Sequence, residues 1–92
     1  MINLKQLNFH HLFYFWRVAK NGHLTRTADE LHTSQSALSA QIKQLEDHLG
    51  QALFKRDGRR LSLTENGQIV FSYAETIFGL GQEMLGRLRG QS

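Results

Sequence analysis

The stretch from Ser34 to Leu49, SQSALSAQIKQLEDHL, constrains the fold of this chain more than any other. It carries one apolar stripe with the spacing of an α-helix, formed by Leu38, Ile42, Leu45 and Leu49. The outer side of its first two turns is small or hydrogen-bonding, with Gln35, Ser36, Ser39, Ala40 and Lys43. A helix buried on one side and smooth on the other suits a polar, patterned surface. The major groove of DNA is such a surface, because Gln and Ser can read base edges there.

The composition allows one small domain with a modest core. The 92 residues are 40% hydrophobic with a net charge of +3, which permits a nucleic-acid partner without requiring one. The absence of cysteine excludes disulfide scaffolds and thiolate metal sites. No apolar run approaches the roughly 18 residues that a membrane span needs, and the start of the chain has no signal-peptide core. We therefore expect a cytoplasmic protein without a membrane partner.

Two helices are predicted ahead of this stretch. The first begins at Phe9 with Asn8 as its N-cap, and it ends at Asn21-Gly22 because glycine supplies the left-handed geometry of a helix end. The second is short, with an apolar face of Leu24, Ala28 and Leu31. The aromatic side chains of the first helix have the spacing of a core and not of a base-stacking platform; they are Phe9, Phe13, Phe15 and Trp16.

The second helix and the stretch from Ser34 together predict a helix-turn-helix at about residues 24–43. Only His32-Thr33 separates the two helices, and the small Ala28 allows them to cross closely. Ser34 is a good N-cap for the longer helix, and Gly50 is expected to end it.

The segment LFKRDGRRLSL predicts a two-stranded wing at about residues 53–63. Asp57-Gly58 is a strong hairpin signal, because a type I′ turn needs positive φ at both central positions. Four cations surround the turn, namely Lys55, Arg56, Arg59 and Arg60. These charges could simply protect a hairpin edge from aggregation. The better interpretation is that Arg56 or Arg59 lies in or beside a DNA minor groove, with Arg60 on the other face of its strand as a bystander.

One long helix is predicted from Glu65, capped by Thr64, to about residue 90. One of its apolar stripes consists of Val70, Ala74, Phe78 and Leu85. A second stripe beside it exceeds what so small a domain can cover, and we expect it to pair two copies of the chain; it consists of Ile69, Tyr73, Ile77, Leu80, Met84 and Leu88. Three glycines lie in the last third of this helix, namely Gly79, Gly81 and Gly86. Each costs roughly 1 kcal/mol relative to alanine inside a helix, so we expect the helix to be continuous but weak there.

Several sequence blocks in these elements match a known family. They are L-x-x-F-x-x-V-A from Leu12, A-x-x-L from Ala28, SQSALS-x-QI from Ser34, LE and LG at 45–46 and 49–50, LF-x-R-x-x-R from Leu53, and LT-x-x-G from Leu63. With these blocks in register over more than half of its length, the chain resembles the N-terminal domain of LysR-type transcriptional regulators. The opening HHLFYFW and the segment YAETIFGLGQEML are similar to the family's sodium/proton antiporter activators.

The resemblance implies a mainly α fold, with a winged helix-turn-helix at residues 7–64 and a linker and dimerisation helix at residues 65–90. It implies a homodimer that binds double-stranded DNA sequence-specifically at an interrupted palindrome. The third helix would lie in the major groove, and the wing on the flanking minor groove or backbone. The family's effector-binding domain, which takes the small-molecule effector, is absent from this chain. The expected DNA-binding residues are Thr25, Arg26, Ser34, Gln35, Ser36, Ser39, Lys43, Arg56 and Arg59.

The chain departs from the family pattern at three positions. His23 stands where many members carry a cap serine, and Thr27 stands where a second alanine is common. Both changes affect the start of the second helix. Ala40 replaces an arginine that many members carry on the third helix. We therefore expect Arg56 and Arg59 in the wing to supply much of the grip on DNA.

A different class of function is a winged-helix module that binds an acidic protein partner through the wing and third helix. Enzyme chemistry is not expected, because the chain has no phosphate-binding glycine loop, nucleophile elbow or plausible carboxylate pair. No cofactor is expected either. The five histidines lack metal-ligand spacing and are interpreted as surface or satisfied residues; they are His10, His11, His23, His32 and His48.

Overall fold

The computed structural model describes residues 2–57 and 60–90. Within them the chain forms a short 3₁₀ turn at Leu4–Gln6, followed by helices α1 (Phe9–Asn21), α2 (Leu24–Glu30) and α3 (Gln35–Leu49), strands β1 (Phe54–Asp57) and β2 (Arg60–Leu63), and helix α4 (Glu65–Leu88). This order confirms the predicted winged helix-turn-helix followed by a long helix. No helix in the described part is long and apolar enough to cross a membrane.

The three longer helices begin at their predicted capping residues, and α1 and α3 also end at theirs. The side chains of Asn8, Ser34 and Thr64 each accept a hydrogen bond from a backbone N–H in the first turn of α1, α3 and α4. Gly22 and Gly50 follow α1 and α3 in the left-handed conformation, with φ of 79° and 69°. Helix boundaries in this chain are therefore dictated by local chemistry.

Helix α2 begins without a side-chain cap at His23, as the departure from the family pattern predicts. Thr27, which replaces the common alanine, is fully buried one turn later. Its hydroxyl donates to the carbonyl oxygen of His23 over 2.7 Å. The buried hydroxyl is thus satisfied within the helix, so the substitution leaves no unpaired polar group there.

The core surrounds α1, which contacts α2, α3 and α4. The stripe of α3 that faces it is buried at Leu38, Ile42 and Leu45. The buried apolar side chains are Leu12, Phe15, Trp16, Val18, Ala28, Leu38, Ile42, Leu45, Leu53 and Ala74. The prediction was wrong for Phe9, which is 46% exposed. Phe9 is the first residue of α1, and a helical side chain leans toward the N-terminus, here away from the core.

His11 also differs from its prediction as a surface or satisfied residue. It is only 8% exposed, and its Nε2 lies 3.4 Å from the amide nitrogen of Asn8. Its Nδ1 is buried without a hydrogen-bond partner among the described residues. Burial lowers the pKa of His11 below its usual 6.5, and the nearby charges of His48 and His10 add to this effect.

The wing has a register that differs from the predicted one. The strands β1 and β2 pair antiparallel, with Phe54 opposite Leu63 and Asp57 opposite Arg60. Asp57 therefore ends β1, and the prediction that Asp57-Gly58 forms the centre of the turn was wrong by one residue. The residues between the strands, Gly58 and Arg59, lie outside the described residues.

Cross-strand charge explains this register. A turn centred on residues 57–58 would set Lys55 opposite Arg60 and Arg56 opposite Arg59, and like charges directly opposite each other destabilise a strand pair. In the observed register, Lys55 is instead opposite Ser62 and Arg56 is opposite Leu61. Avoidance of two cationic pairs outweighs the local turn preference.

Candidate nucleic-acid interface

The N-terminal half of α3 presents an exposed polar face. Leu38 and Ile42 are buried beneath it, whereas Gln35, Ser36 and Ser39 are exposed. Ala40 and Lys43 are exposed on the same half, and the cap residue Ser34 places its hydroxyl 3.3 Å from that of Ser36. The structure thus forms the polar face that the helical spacing predicted.

A side-chain hydrogen bond joins α2 to this face. The Thr25 hydroxyl donates to the side-chain oxygen of Gln35 over 3.0 Å. The bond restrains the Gln35 side chain and leaves its amide NH₂ available as a donor. Thr25 was predicted as a phosphate contact, and its observed partner gives it a role in orienting Gln35. The neighbouring Arg26 is exposed.

The wing adds cations to the same surface. A recess of about 210 Å³ between the starts of α2 and α3 and the wing is lined by Thr25, Gln35 and Arg56, among others. A second recess, of about 190 Å³ between α3 and the wing, is lined by Ser39, Lys43 and again Arg56. Since Arg56 lines both recesses, α2, α3 and β1 form one continuous polar and cationic surface.

Two other cations of the wing differ in what the structure shows of them. Arg59 lies outside the described residues, so its predicted role stays a prediction. Lys55 was not selected from the sequence, yet it lines the recess between α3 and the wing beside Arg56. Its place among the four wing cations was the sequence signal for it.

Lys43 forms an ion pair within α3. Its Nζ lies 3.1 Å from a carboxylate oxygen of Asp47, and the two side chains are 70% and 62% exposed. Exposed pairs at this spacing contribute only about 0.3–0.5 kcal/mol. A phosphate can therefore replace Asp47 as the partner of Lys43 at little cost.

The wing is attached to α3 through Glu46, a residue that the sequence reasoning did not select. Its carboxylate accepts from the backbone N–H groups of Leu53 and Phe54, over 2.7 and 3.2 Å. Charged acceptors make stronger hydrogen bonds than neutral ones. Glu46 thus fixes where the chain leaves α3 to form β1, and the LE block was the only sequence signal for it.

The start of α4 also contacts Leu53. The carbonyl oxygen of the fully buried Leu53 accepts from the backbone N–H of Thr64 over 3.0 Å. Gly67, also buried, lies against this carbonyl so closely that an added Cβ would be only 2.9 Å from the Leu53 carbonyl carbon. We call the set of Glu46, Leu53, Thr64 and Gly67 the wing root, because it joins α3, the wing and α4.

Helix α4 has one covered face and one exposed apolar face. Ala74 is buried, and Val70 and Phe78 pack against the core, whereas Leu85 of the same predicted stripe is 46% exposed. The predicted dimerisation stripe is between 36% and 77% exposed at every position, namely Ile69, Tyr73, Ile77, Leu80, Met84 and Leu88. An apolar stripe of this length on a monomer surface is typical of a protein–protein contact.

The described residues contain no cluster of three or more His, Cys, Asp or Glu side chains that could hold a metal ion. The candidate site is therefore built only from hydrogen-bonding and cationic groups on α2, α3 and the wing.

Comparison with known proteins identifies the family of this fold and surface. A family model described as bacterial regulatory helix-turn-helix protein, lysR family, matches residues 9–68. The chain belongs to the LysR family.

LysR-family relatives resemble the chain over nearly its whole length. The transcriptional activator protein NhaR of Escherichia coli K12 is 40% identical over 84 residues, which cover 91% of this chain and 28% of NhaR. A RuBisCO operon transcriptional regulator of Allochromatium vinosum is 43% identical over 94 residues, which cover 99% of this chain and 30% of that protein. The chain thus spans less than a third of these relatives. The similarity to NhaR supports the subgroup resemblance seen in the sequence.

Solved structures of LysR-family DNA-binding domains share the fold. The BenM DNA-binding domain in its complex with catB site 1 DNA aligns with a TM-score of 0.81 at 32% identity, covering 89% of this chain and 91% of that one. The CbnR DNA-binding domain in its DNA complex aligns with a TM-score of 0.76 at 34% identity, covering 90% and 95%.

Proposed function

We propose that this LysR-family chain is the sequence-specific DNA-reading head of a transcriptional regulator and acts as a homodimer. The observation that carries the proposal is the continuous surface in which Arg56 of the wing adjoins Gln35 and Ser39 of α3. Hydrogen-bonding side chains at the centre and cations at the edge are what base reading beside a phosphate backbone requires. The similar BenM and CbnR domains were solved with DNA.

In this proposal α3 enters the major groove by its N-terminal half. Gln35, Ser36 and Ser39 contact base edges, and Ser34 and Lys43 contact phosphates. Arg26 at the start of α2, beside Thr25, contacts the backbone on one side. In the wing, Arg56, with the neighbouring Arg59, grips the flanking minor groove or backbone.

We propose that α4 pairs two copies of the chain along its exposed stripe. In a symmetric dimer the two reading helices face half-sites about one helical turn of DNA apart, which corresponds to an interrupted palindrome. The segment 7–64 is then the winged head and 65–90 the linker. In a longer regulator of the size of NhaR, an effector-binding domain would follow, and the whole protein would act in the cytoplasm, where bacterial DNA lies.

Selection of duplexes from a randomised library, followed by fluorescence anisotropy, tests this function. The selected duplex should bind at least about 10³-fold more tightly than its scrambled version. Binding should weaken linearly in log K against log salt, with a slope of about −0.9 per phosphate contact. Equal, weak binding to both duplexes at every salt concentration would refute the proposal, and binding to acidic proteins instead would indicate a protein-interaction module.

A further inference from the structure

A polar cluster between α1 and α4 joins the two helices. The indole N–H of Trp16 donates to Oε1 of Glu75 over 2.6 Å, and Nζ of Lys20 donates to the same oxygen over 3.2 Å. Lys20 also lies over the Trp16 ring, 4.9 Å from its centroid. We call these three residues the α1–α4 clamp.

The carboxylate of Glu75 is a strong hydrogen-bond acceptor. The hydrogen bond from Trp16 and, next, the hydrogen bond from Lys20 hold the pKa of Glu75 below its usual range. Glu75 therefore remains ionised at neutral pH, and hydrogen bonds to an ionised acceptor are shorter and stronger than neutral ones.

The indole hydrogen bond adds a directional constraint to the apolar contacts that hold α4. Trp16 is only 5% exposed, and an indole has a single donor, which becomes costly when it is buried without a partner. Phe78 of α4 also packs against Phe13 and Trp16, with ring centroids 5.5 and 5.0 Å apart, and this close packing limits the rotation of the helix. A hydrogen bond is directional. The clamp thus fixes the roll of α4 about its own axis.

The roll of α4 controls where α3 lies relative to a second copy. Helix α1 contacts both α3 and α4, and packed helices lie about 8–10 Å apart, so α3 is at most roughly 18 Å from the axis of α4. A roll of about 10° would then move α3 by up to about 3 Å, close to the 3.4 Å step per base along one DNA strand. Small changes at the clamp are therefore equivalent to about one base pair at the reading helix.

We propose that Glu75 is a positioning residue for DNA recognition. By accepting the Trp16 indole N–H, it fixes the roll of α4 on α1 and sets the half-site separation that the dimer reads. This inference rests on the proposed function, because it requires a dimer formed through α4.

The test compares three variants of the chain. Glu75→Ala removes the acceptor, whereas Glu75→Gln keeps an acceptor and loses only the charge. The matched control is Glu83→Ala, which makes the same change on α4 at an exposed residue whose ion pair, to Arg87 at 3.9 Å, stays within α4. Each variant is titrated by fluorescence anisotropy against a series of duplexes. Their half-site separations range from about two base pairs shorter to about two base pairs longer than that of the selected duplex. A duplex with a single half-site completes the series.

We expect wild type, Glu75→Gln and Glu83→Ala to lose roughly tenfold in affinity, about 1.4 kcal/mol, for each base pair by which the half-site separation departs from that of the selected duplex. Glu75→Ala should lose less than about threefold per base pair, because a head with a less restrained roll adapts to each separation. Its affinity for the single half-site should equal that of wild type, since the residues on α2, α3 and the wing are unchanged.

A DNA-independent measurement separates the clamp from the proposed function. Trp16 is the only tryptophan of the chain, so its fluorescence emission reports the indole directly. The emission maximum should shift in Glu75→Ala and stay in place in Glu83→Ala. If circular dichroism shows that Glu75→Ala is unfolded, Trp16→Phe removes the same hydrogen bond from the donor side and keeps an aromatic ring.

An unshifted emission maximum in a folded Glu75→Ala variant would overturn the inference. So would a separation preference in Glu75→Ala, or in Trp16→Phe, as sharp as that of wild type. Wild-type binding that ignores sequence would instead refute the proposed function and, with it, the inference.

Discussion

Gly67 is the position where a single methyl group should disturb this fold most. A Cβ at residue 67 would lie 2.9 Å from the carbonyl carbon of Leu53, closer still to its oxygen, and 3.1 Å from a side-chain carbon of Leu63. Leu53 cannot easily retreat, because Glu46 holds its N–H over 2.7 Å and the Thr64 N–H holds its oxygen over 3.0 Å. We therefore expect Gly67→Ala to destabilise the folded state strongly.

The magnitude follows from three effects. Overpacking a full site costs typically about 1–3 kcal/mol. A carbonyl of Leu53 pushed away from Thr64 becomes a buried unsatisfied group, at about 1–3 kcal/mol. Alanine gains about 1 kcal/mol of helix propensity over glycine. The net loss is about 3 kcal/mol, a large part of the roughly 5–15 kcal/mol stability of a small domain.

Gly79→Ala is the matched control on the same helix. A Cβ at residue 79 meets nothing within 4 Å, so only the helix propensity changes and the variant should gain about 1 kcal/mol. Urea unfolding of both variants, followed by helical circular dichroism at one protein concentration, measures the difference. Equal unfolding midpoints for Gly67→Ala and Gly79→Ala would refute the description of the wing root as a closely packed joint.

Three further perturbations test the site, the dimer and the buried histidine. Arg56→Ala should weaken specific DNA binding and make the slope of log K against log salt shallower by about one unit in anisotropy titrations. The control is the same change at Lys5, outside the proposed interface. An unchanged slope in Arg56→Ala would exclude Arg56 from the interface. Leu80→Asp should shift the chain toward monomer in sedimentation, since carboxylates would meet within an apolar contact, and a persistent dimer would mean that the stripe is not the interface. His11 has a pKa below 6.5 in the folded state, so its imidazole binds a proton more readily in the unfolded chain. The stability that neutral His11 contributes is therefore complete above about pH 6.5 and is lost as the pH falls below it. Between about pH 7.5 and 5, the urea midpoint should therefore fall less in His11→Gln than in wild type. An equal fall would contradict the lowered pKa of His11. The control is His32→Asn, at an exposed position with left-handed backbone, which should behave as wild type.

The elements that could be predicted from the sequence depend on short-range chemistry. The N-caps Asn8, Ser34 and Thr64 and the glycines after α1 and α3 act within one turn of the helix that they bound. The exposed stripe on α4 followed equally well, because helical periodicity and domain size together determine which faces remain uncovered. The reading face of α3 belongs to the same class of inference.

The features that could not be predicted depend on contacts between elements. The wing register followed cross-strand charges and overrode the local Asp57-Gly58 signal. The bonds of Glu46 to Leu53 and of Trp16 to Glu75 join residues that are adjacent only in the fold. Helical periodicity placed Trp16 among the core residues of α1 but gave no information about its partner on α4.

The distribution of charge separates reading from gripping in this domain. Lys43 is the only lysine or arginine of α3, and its exposed pair with Asp47 can be exchanged for a phosphate at little cost. With a single such cation on α3, the proposed function assigns much of the phosphate attraction to the wing, where Lys55 and Arg56 both line the recess beside α3, and assigns the base contacts to α3. The wing in turn depends on Glu46, whose carboxylate holds the start of β1. We therefore expect the affinity for DNA to depend on the wing root as well as on the proposed contact residues.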